Sequence, residues 1–299
     1  INRFRQEKQE SLSFTCGLFG LDRQVYYRRI KRIARSQGIA GKIVDLVHEI
    51  RTTQPRIGTR KLYHILAREL QALKVGRDKF FDILRANHLL ITPKRSYHTT
   101  TMSHHRFRKY PNIIKEVTVC RPNQVWVSDI TYIGKRESPC YLSLVTDAYS
   151  KKIVGFEVSR TMCTPHVVKA LKMAQKQRKT NEPLIHHSDR GVQYCAEEYQ
   201  YYLNKYQLRC SMTENSDPYE NAIAERINGI LKQEFMIDTY HLDLHLMKQI
   251  VAEAIDIYNN DRPHWSNHML TPNQMHMKSN MNFTTYKTKN SSNLSATTV

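Results

Sequence analysis

The chain has 299 residues, 40% of them hydrophobic, enough for more than one packed core. Its 46 Lys and Arg against 27 Asp and Glu give a formal net charge of +19, and residues 1–110 alone hold 24 basic and 8 acidic side chains. An excess clustered in this way fits a polyanion such as DNA, and the lack of a basic amphipathic anchor or of an apolar run of about 18 residues argues against a membrane.

The front of the chain is read as helical. Leu12, Cys16 and Leu18 give an apolar face, Gly20 breaks it, and Asp22 caps a second helix through Ile33. A helix near 39–50 follows, then a turn at Pro55 and Gly58, a helix over 60–70 capped by Thr59, and a short helix over 78–86. The pattern predicts helix-turn-helix units whose basic side chains meet phosphate, with a solvated basic surface on a structural domain as the plainer reading. Residues 92–120 are assigned to a basic linker, on the strength of the polar, aperiodic stretch from Thr92 to Tyr110.

From Gln124 the period changes to that of strands. Strands are expected at 124–134, 140–148, 151–158, 184–188 and 208–212, with helices over 165–177, 196–205 and 242–258 and one around Glu225. Residues 280–299 are polar, rich in Ser, Thr and Asn, and expected to be disordered. The organisation predicted is therefore 1–91 helix-turn-helix DNA-binding region, 92–120 linker, 121–279 catalytic core and 280–299 tail. Six scattered cysteines without a C-x-x-C pair suggest reduced thiols rather than a zinc knuckle or disulfide framework. No secretory signal is visible at the start, and an opening on Ile1 rather than Met fits a start that lies upstream.

Three carboxylates carry the chemistry. Asp129 sits in the apolar run Val125 to Ile133, where a buried charge is costly unless a cation meets it. Asp189 closes the run that begins at Leu184, and Glu225 lies off the apolar stripe of Ile223, Ile227, Ile230 and Leu231. Oxygen-only ligands suit Mg2+ or Mn2+, and paired ions about 3.5 to 4 Å apart activate an attacking oxygen and stabilise a departing one. Singly, each has a plainer reading: a carboxylate satisfied by lysine or amides, a turn residue before Gly191, a solvated helix residue. Asp147 is read as a turn residue and His186 as strand packing.

The motifs WVSDIT (126–131), HSDRG (187–191) and YENAIAE (219–225), followed by Tyr258-Asn259 and Arg262-Pro263-His264, resemble the OrfB-type DDE transposases of bacterial insertion sequences, over residues 10 to 277. The 35 residues between Asp189 and Glu225 match the spacing that names the group. Glu220, where that family more often has Asp, and Asp217-Pro218, in a turn usually richer in glycine, depart from its pattern.

The resemblance implies an α/β core with a ribonuclease-H-like mixed sheet flanked by helices, preceded by the all-α region. It implies catalytic and metal-ligating roles for Asp129, Asp189 and Glu225 with two Mg2+ or Mn2+ ions. Lys232, seven residues after Glu225, matches the family's basic residue and is assigned to DNA with Arg23, Arg28, Arg29 and Arg60. His187 is read either as packing or as a partner beside the metal ligands that orients them or carries a proton. The expected partners are element ends and target DNA, with the protein a homo-oligomer on DNA in the bacterial cytoplasm, at the nucleoid. The rival readings are a ribonuclease-H-like nuclease that hydrolyses without strand transfer and a non-enzymatic DNA-binding regulator.

Overall fold

A computed structural model describes residues 1–92, 108–134, 139–214 and 221–278, so the tail, most of the basic stretch after Thr92 and the 217–220 departures lie outside the described residues. The chain divides into two compact units, Ile1–Arg95 and Ser96–Val299.

In the first unit, α1 (Asn2–Lys8) precedes α2 (Leu12–Leu18), whose cap Ser11 accepts from the Phe14 amide at 3.2 Å. Gly20, at φ +63°, supplies the left-handed turn that ends α2. Asp22 then caps α3 by accepting from the Gln24 amide at 2.6 Å. The two helices expected over 22–33 and 39–50 are one, α3 (Arg23–Thr53), of 31 residues. Gly38 and Gly41 each weaken a helix by about 1 kcal/mol relative to alanine, yet neither removes a hydrogen bond as proline would, so the helix runs through them.

The first buried residues of α3 are Ile43 and Val47, which pack with Leu62 and Leu70 of the following helices and with Phe80 and Leu84. Those helices are α4 (Thr59–Ile65), α5 (Ala67–Ala72) and α6 (Arg77–Ala86). Two further expectations are corrected. The cap of α4 is Gly58 rather than Thr59, and the helix expected over 60–70 is interrupted at Leu66.

The second unit is built on five strands: β1 (Val125–Ile133), β2 (Cys140–Asp147), β3 (Ile153–Ser159), β4 (Ile185–Ser188) and β5 (Arg209–Met212). Their order in the sheet is β3-β2-β1-β4-β5. The first three form an antiparallel meander, and β4 and β5 join parallel to β1. Alternation along the strands separates two cores. Trp126, Val145 and Val154 pack with Val168 and Leu171 of α7 (Thr164–Gln177) and with Leu203 of α9 (Glu197–Lys205). Here Gly155 permits a close approach, because a Cβ would lie 2.1 Å from the Ala170 carbonyl oxygen.

On the opposite face, Leu142 and Leu144 pack against Ile227 and Leu231 of α10 (Ala222–Gln233) and Val251 and Tyr258 of α11 (Leu244–Asn260). The Asn259 side chain receives the Ile153 amide and donates to the Ile153 carbonyl, both at 3.0 Å, replacing a strand partner at the sheet edge. Arg262 is buried and grips Glu234, just beyond α10, through two 2.9 Å bonds. The Tyr258 to His264 motif thus holds the helices in place. Two short helices, α8 (Val192–Cys195) and α12 (Pro272–His276), complete the unit.

Residues 108–120, read by sequence as part of a linker, are tied to the sheet. The Ile113 amide donates to Ser211 Oγ at 3.1 Å, and Ile113, Ile114, Val117 and Val119 pack beside Val125 and Ala224. Four apolar side chains in seven residues give this stretch surface to bury that the preceding basic one lacks.

Candidate active site

Val125, Trp126, Val127 and Ser128 of β1 face Ile185, His186, His187 and Ser188 of β4 in parallel register. Continuing that offset by one residue brings Asp189 opposite Asp129, and parallel neighbours run about 4.8 Å apart. Asp129 shares its strand face with Val125 and Val127, the face on which Ile223 and Ala224 of α10 lie. The helix is thereby positioned to present Glu225 and Asn228 beside Asp129.

Electrostatics report the same convergence. Burial and then the negative charge of Asp189 push the Asp129 carboxyl up to about 7, with a further push from Glu225. The Ile130 amide and the Asn228 amide, whose Nδ2 donates to Asp129 Oδ2 at 2.7 Å, act in the opposite direction. Burial also raises Glu225, which remains exposed at the helix surface. Asp189 Oδ1 accepts from the Gly191 amide at 3.0 Å. A Cβ at Gly191 would lie 3.0 Å from that same oxygen, so glycine keeps the turn tight against the carboxylate.

Asn228 was missed by sequence reasoning. It lies one turn after Glu225 and is buried, and its Oδ1 has no hydrogen-bond partner among the described residues. The available signal was its i+3 offset from Glu225. Lys232 is half-buried, and its ammonium pKa is lowered by burial, with Asp238 and Asp129 pulling it back up. It therefore lies within electrostatic reach of the carboxylates.

His186 belongs to the packing. Its Nε2 lies 2.8 Å from Ser128 Oγ and 2.9 Å from the Tyr199 hydroxyl, and burial, with the neighbouring His187, lowers it to about 3. His187 points to the other face, fully buried, with Nδ1 2.9 Å from Ser211 Oγ. Asp147 is the expected turn residue: it accepts from the Ser150 amide and hydroxyl, each at 2.7 Å, and from the Asn123 amide. Arg23, Arg28, Arg29 and Arg60 are exposed cations of the first unit. Among the described residues, no three His, Cys, Asp or Glu side chains close around a single point as a metal cage would. No described helix is long and apolar enough to cross a membrane.

A sheet of this order, with one acidic residue within β1, another just past the end of β4 and a third on the helix beside them, defines a protein of the integrase-core class. Two models described as Integrase core domain match residues 120–218 and 206–272. The uncharacterized 31 kDa protein of insertion element IS600 from Shigella sonnei is 33% identical over 254 residues, covering 83% of this chain and 92% of that protein. Transposase InsF for insertion sequence IS3A of Escherichia coli (strain K12) is 35% identical over 158 residues, 52% of this chain and 55% of the relative, so the match spans about half of InsF. The HTLV-2 integrase catalytic core domain, solved in complex with magnesium, is similar at 19% identity and a TM-score of 0.43, covering 52% of this chain and 97% of that one. The chain belongs to the DDE transposase family of bacterial insertion elements, and its core is the expected ribonuclease-H-like one.

Proposed function

We propose that this chain cuts DNA at the ends of an insertion element and joins the freed 3′-hydroxyl to a second DNA site. The β1–β4 register carries the reading: continued by one residue it would bring Asp129 and Asp189 side by side, and the charges of Asp189 and Glu225 both reach Asp129. Hydrolysis at an element end consumes one water and leaves a 3′-hydroxyl and a 5′-phosphate. Joining then exchanges one phosphodiester for another and releases a 3′-hydroxyl on the target. Neither step needs a covalent enzyme intermediate.

The donor set fits a hard divalent cation: Asp189 and Glu225 both push the Asp129 carboxyl up, and Asn228 Oδ1 is a buried, unpartnered oxygen next to Asp129 among the described residues. Mg2+ and Mn2+ complete their shells with water and substrate phosphate, so a few carboxylates are enough to hold them. Two Mg2+ or Mn2+ ions held by Asp129, Asp189 and Glu225 would supply Lewis-acid stabilisation of the attacking and departing oxygens. Asn228 fixes Asp129 Oδ2 and so selects which carboxylate oxygen faces substrate. Lys232 offers its ammonium to a phosphate near the carboxylates. His187, tied to Ser211, steadies the strand end from which Asp189 projects.

Arg23, Arg28, Arg29 and Arg60 give the first unit phosphate contacts for end binding. An element has two ends and each chain has one such carboxylate set among the described residues, which favours a homo-oligomer on DNA. The setting that follows is the bacterial cytoplasm, at the nucleoid. Titration calorimetry with Mn2+ tests the site directly. Asp129→Asn, Asp189→Asn and Glu225→Gln should each weaken binding at least about 10-fold with little change in fold; wild-type affinity in all three would remove the metal assignment.

A further inference from the structure

The first unit contains a cleft of about 430 Å3 between the middle of α3 and the α5–α6 turn. Four cations line it: Arg32 and Arg35 from α3, Lys74 from the turn and Lys79 from α6. Ile39 and Leu73 form apolar wall, and no carboxylate is among the lining residues. None of the four cations has an ion pair or a side-chain hydrogen bond among the described residues. The ion pairs formed nearby, Arg77 with Asp78 and Arg85 with Asp82, lie outside the cleft.

Converging like charges repel one another, and nothing in the packing requires them, since the core of the unit is built from other residues. A polyanion that neutralises the cleft accounts for four cations gathered there without a carboxylate. Its volume is many times the roughly 30 Å3 of a water molecule, enough for a stretch of backbone rather than one small ion.

We infer that the Arg32, Arg35, Lys74 and Lys79 cleft is a phosphate-backbone site for double-stranded DNA that continues along α3 from Arg28 and Arg29. The inference rests on the reading of the first unit as DNA-binding. It adds that the middle of α3 and the α5–α6 turn grip one strand together, so that the long helix and the small core behind it bind as a single surface.

The test uses the full chain and a 30-base-pair duplex of random sequence, with affinity followed against salt concentration. The Lys74→Gln/Lys79→Gln double variant should bind about 10-fold more weakly near 0.15 M salt, and its plot of log affinity against log salt should lose roughly 0.9 in slope per phosphate contact removed. A charge-matched control, Lys8→Gln/Arg68→Gln, should keep the wild-type slope, and Lys74→Arg/Lys79→Arg should keep both slope and affinity. All four positions are exposed, so unfolding midpoints should not move. If the wild type and the control bind with steep salt dependence and the cleft variant matches them, the cleft is overturned and DNA binding by the first unit stands. If the wild type shows no salt-dependent binding, both are overturned. Displacement of the duplex by millimolar inorganic phosphate at constant ionic strength would contradict the assignment to a DNA backbone.

Discussion

Asp129 is held in a conflict that its neighbours only partly relieve: burial and two nearby carboxylates favour its protonated form, while Asn228 and the Ile130 amide favour its charge. Removing the Asn228 donor should therefore shift that balance and loosen the carboxylate. Asn228→Ala is expected to lower divalent-cation affinity and joining activity by about 10- to 100-fold, as measured by calorimetry and a joining assay, with the fold retained. Unchanged values in both would leave Asn228 without a positioning role. The three carboxylates were legible because an acid inside an apolar strand, another at a strand end and a third off a helix stripe are each out of place. Asn228 was not, because its i+3 offset from Glu225 singles it out only once the strand opposite is known.

His186 offers a pH test of the same strand pair. Its folded pKa of about 3 lies below the unfolded value of about 6.5, so the unfolded state binds the extra proton as pH falls. The stability tied to neutral His186 is present above pH about 6.5 and is lost progressively as pH falls towards 3. Each pH unit in that window costs up to about 1.4 kcal/mol. Denaturant unfolding in metal-free buffer between pH 6.5 and 5 should show a shallower pH slope for His186→Gln than for wild type. Equal slopes would contradict the buried, neutral ring.

At the level of elements, the sheet was legible from alternation and turn residues because each strand must bury at least one face. The meander and the β4 and β5 strands appear where the apolar runs predict them, within a residue or two at their ends. The long α3 was not legible, because Gly38 and Gly41 read as interruptions and the first half of the helix buries nothing that would give it a period. The ties of residues 108–120 were missed for a different reason: their partners, Ser211 and Glu214, are about a hundred residues away. The α7–β3 contact gives the prediction proper to this scale. Gly155→Ala would drive a methyl into the Ala170 carbonyl, and since that obstacle is backbone, it should destabilise the chain by about 2 kcal/mol or more in denaturant unfolding. A loss below about 0.5 kcal/mol would mean that α7 is free to move away.

For the whole molecule, charge and chemistry are divided. The unit Ile1–Arg95 holds 21 Lys and Arg against 8 Asp and Glu, while the three carboxylates lie in the other unit. The account requires both, since a basic unit alone would make a regulator and the carboxylates alone a nuclease. The most direct test is a joining assay with purified chain, Mg2+ and a labelled duplex carrying the element's own end. Wild-type protein should give products in which the labelled 3′ end is covalently joined to a second DNA, and Asp189→Asn should bind the duplex yet yield neither cut nor joined product. Cutting without joining by the wild type would make this a nuclease. Joining by Asp189→Asn at the wild-type rate would place the chemistry elsewhere.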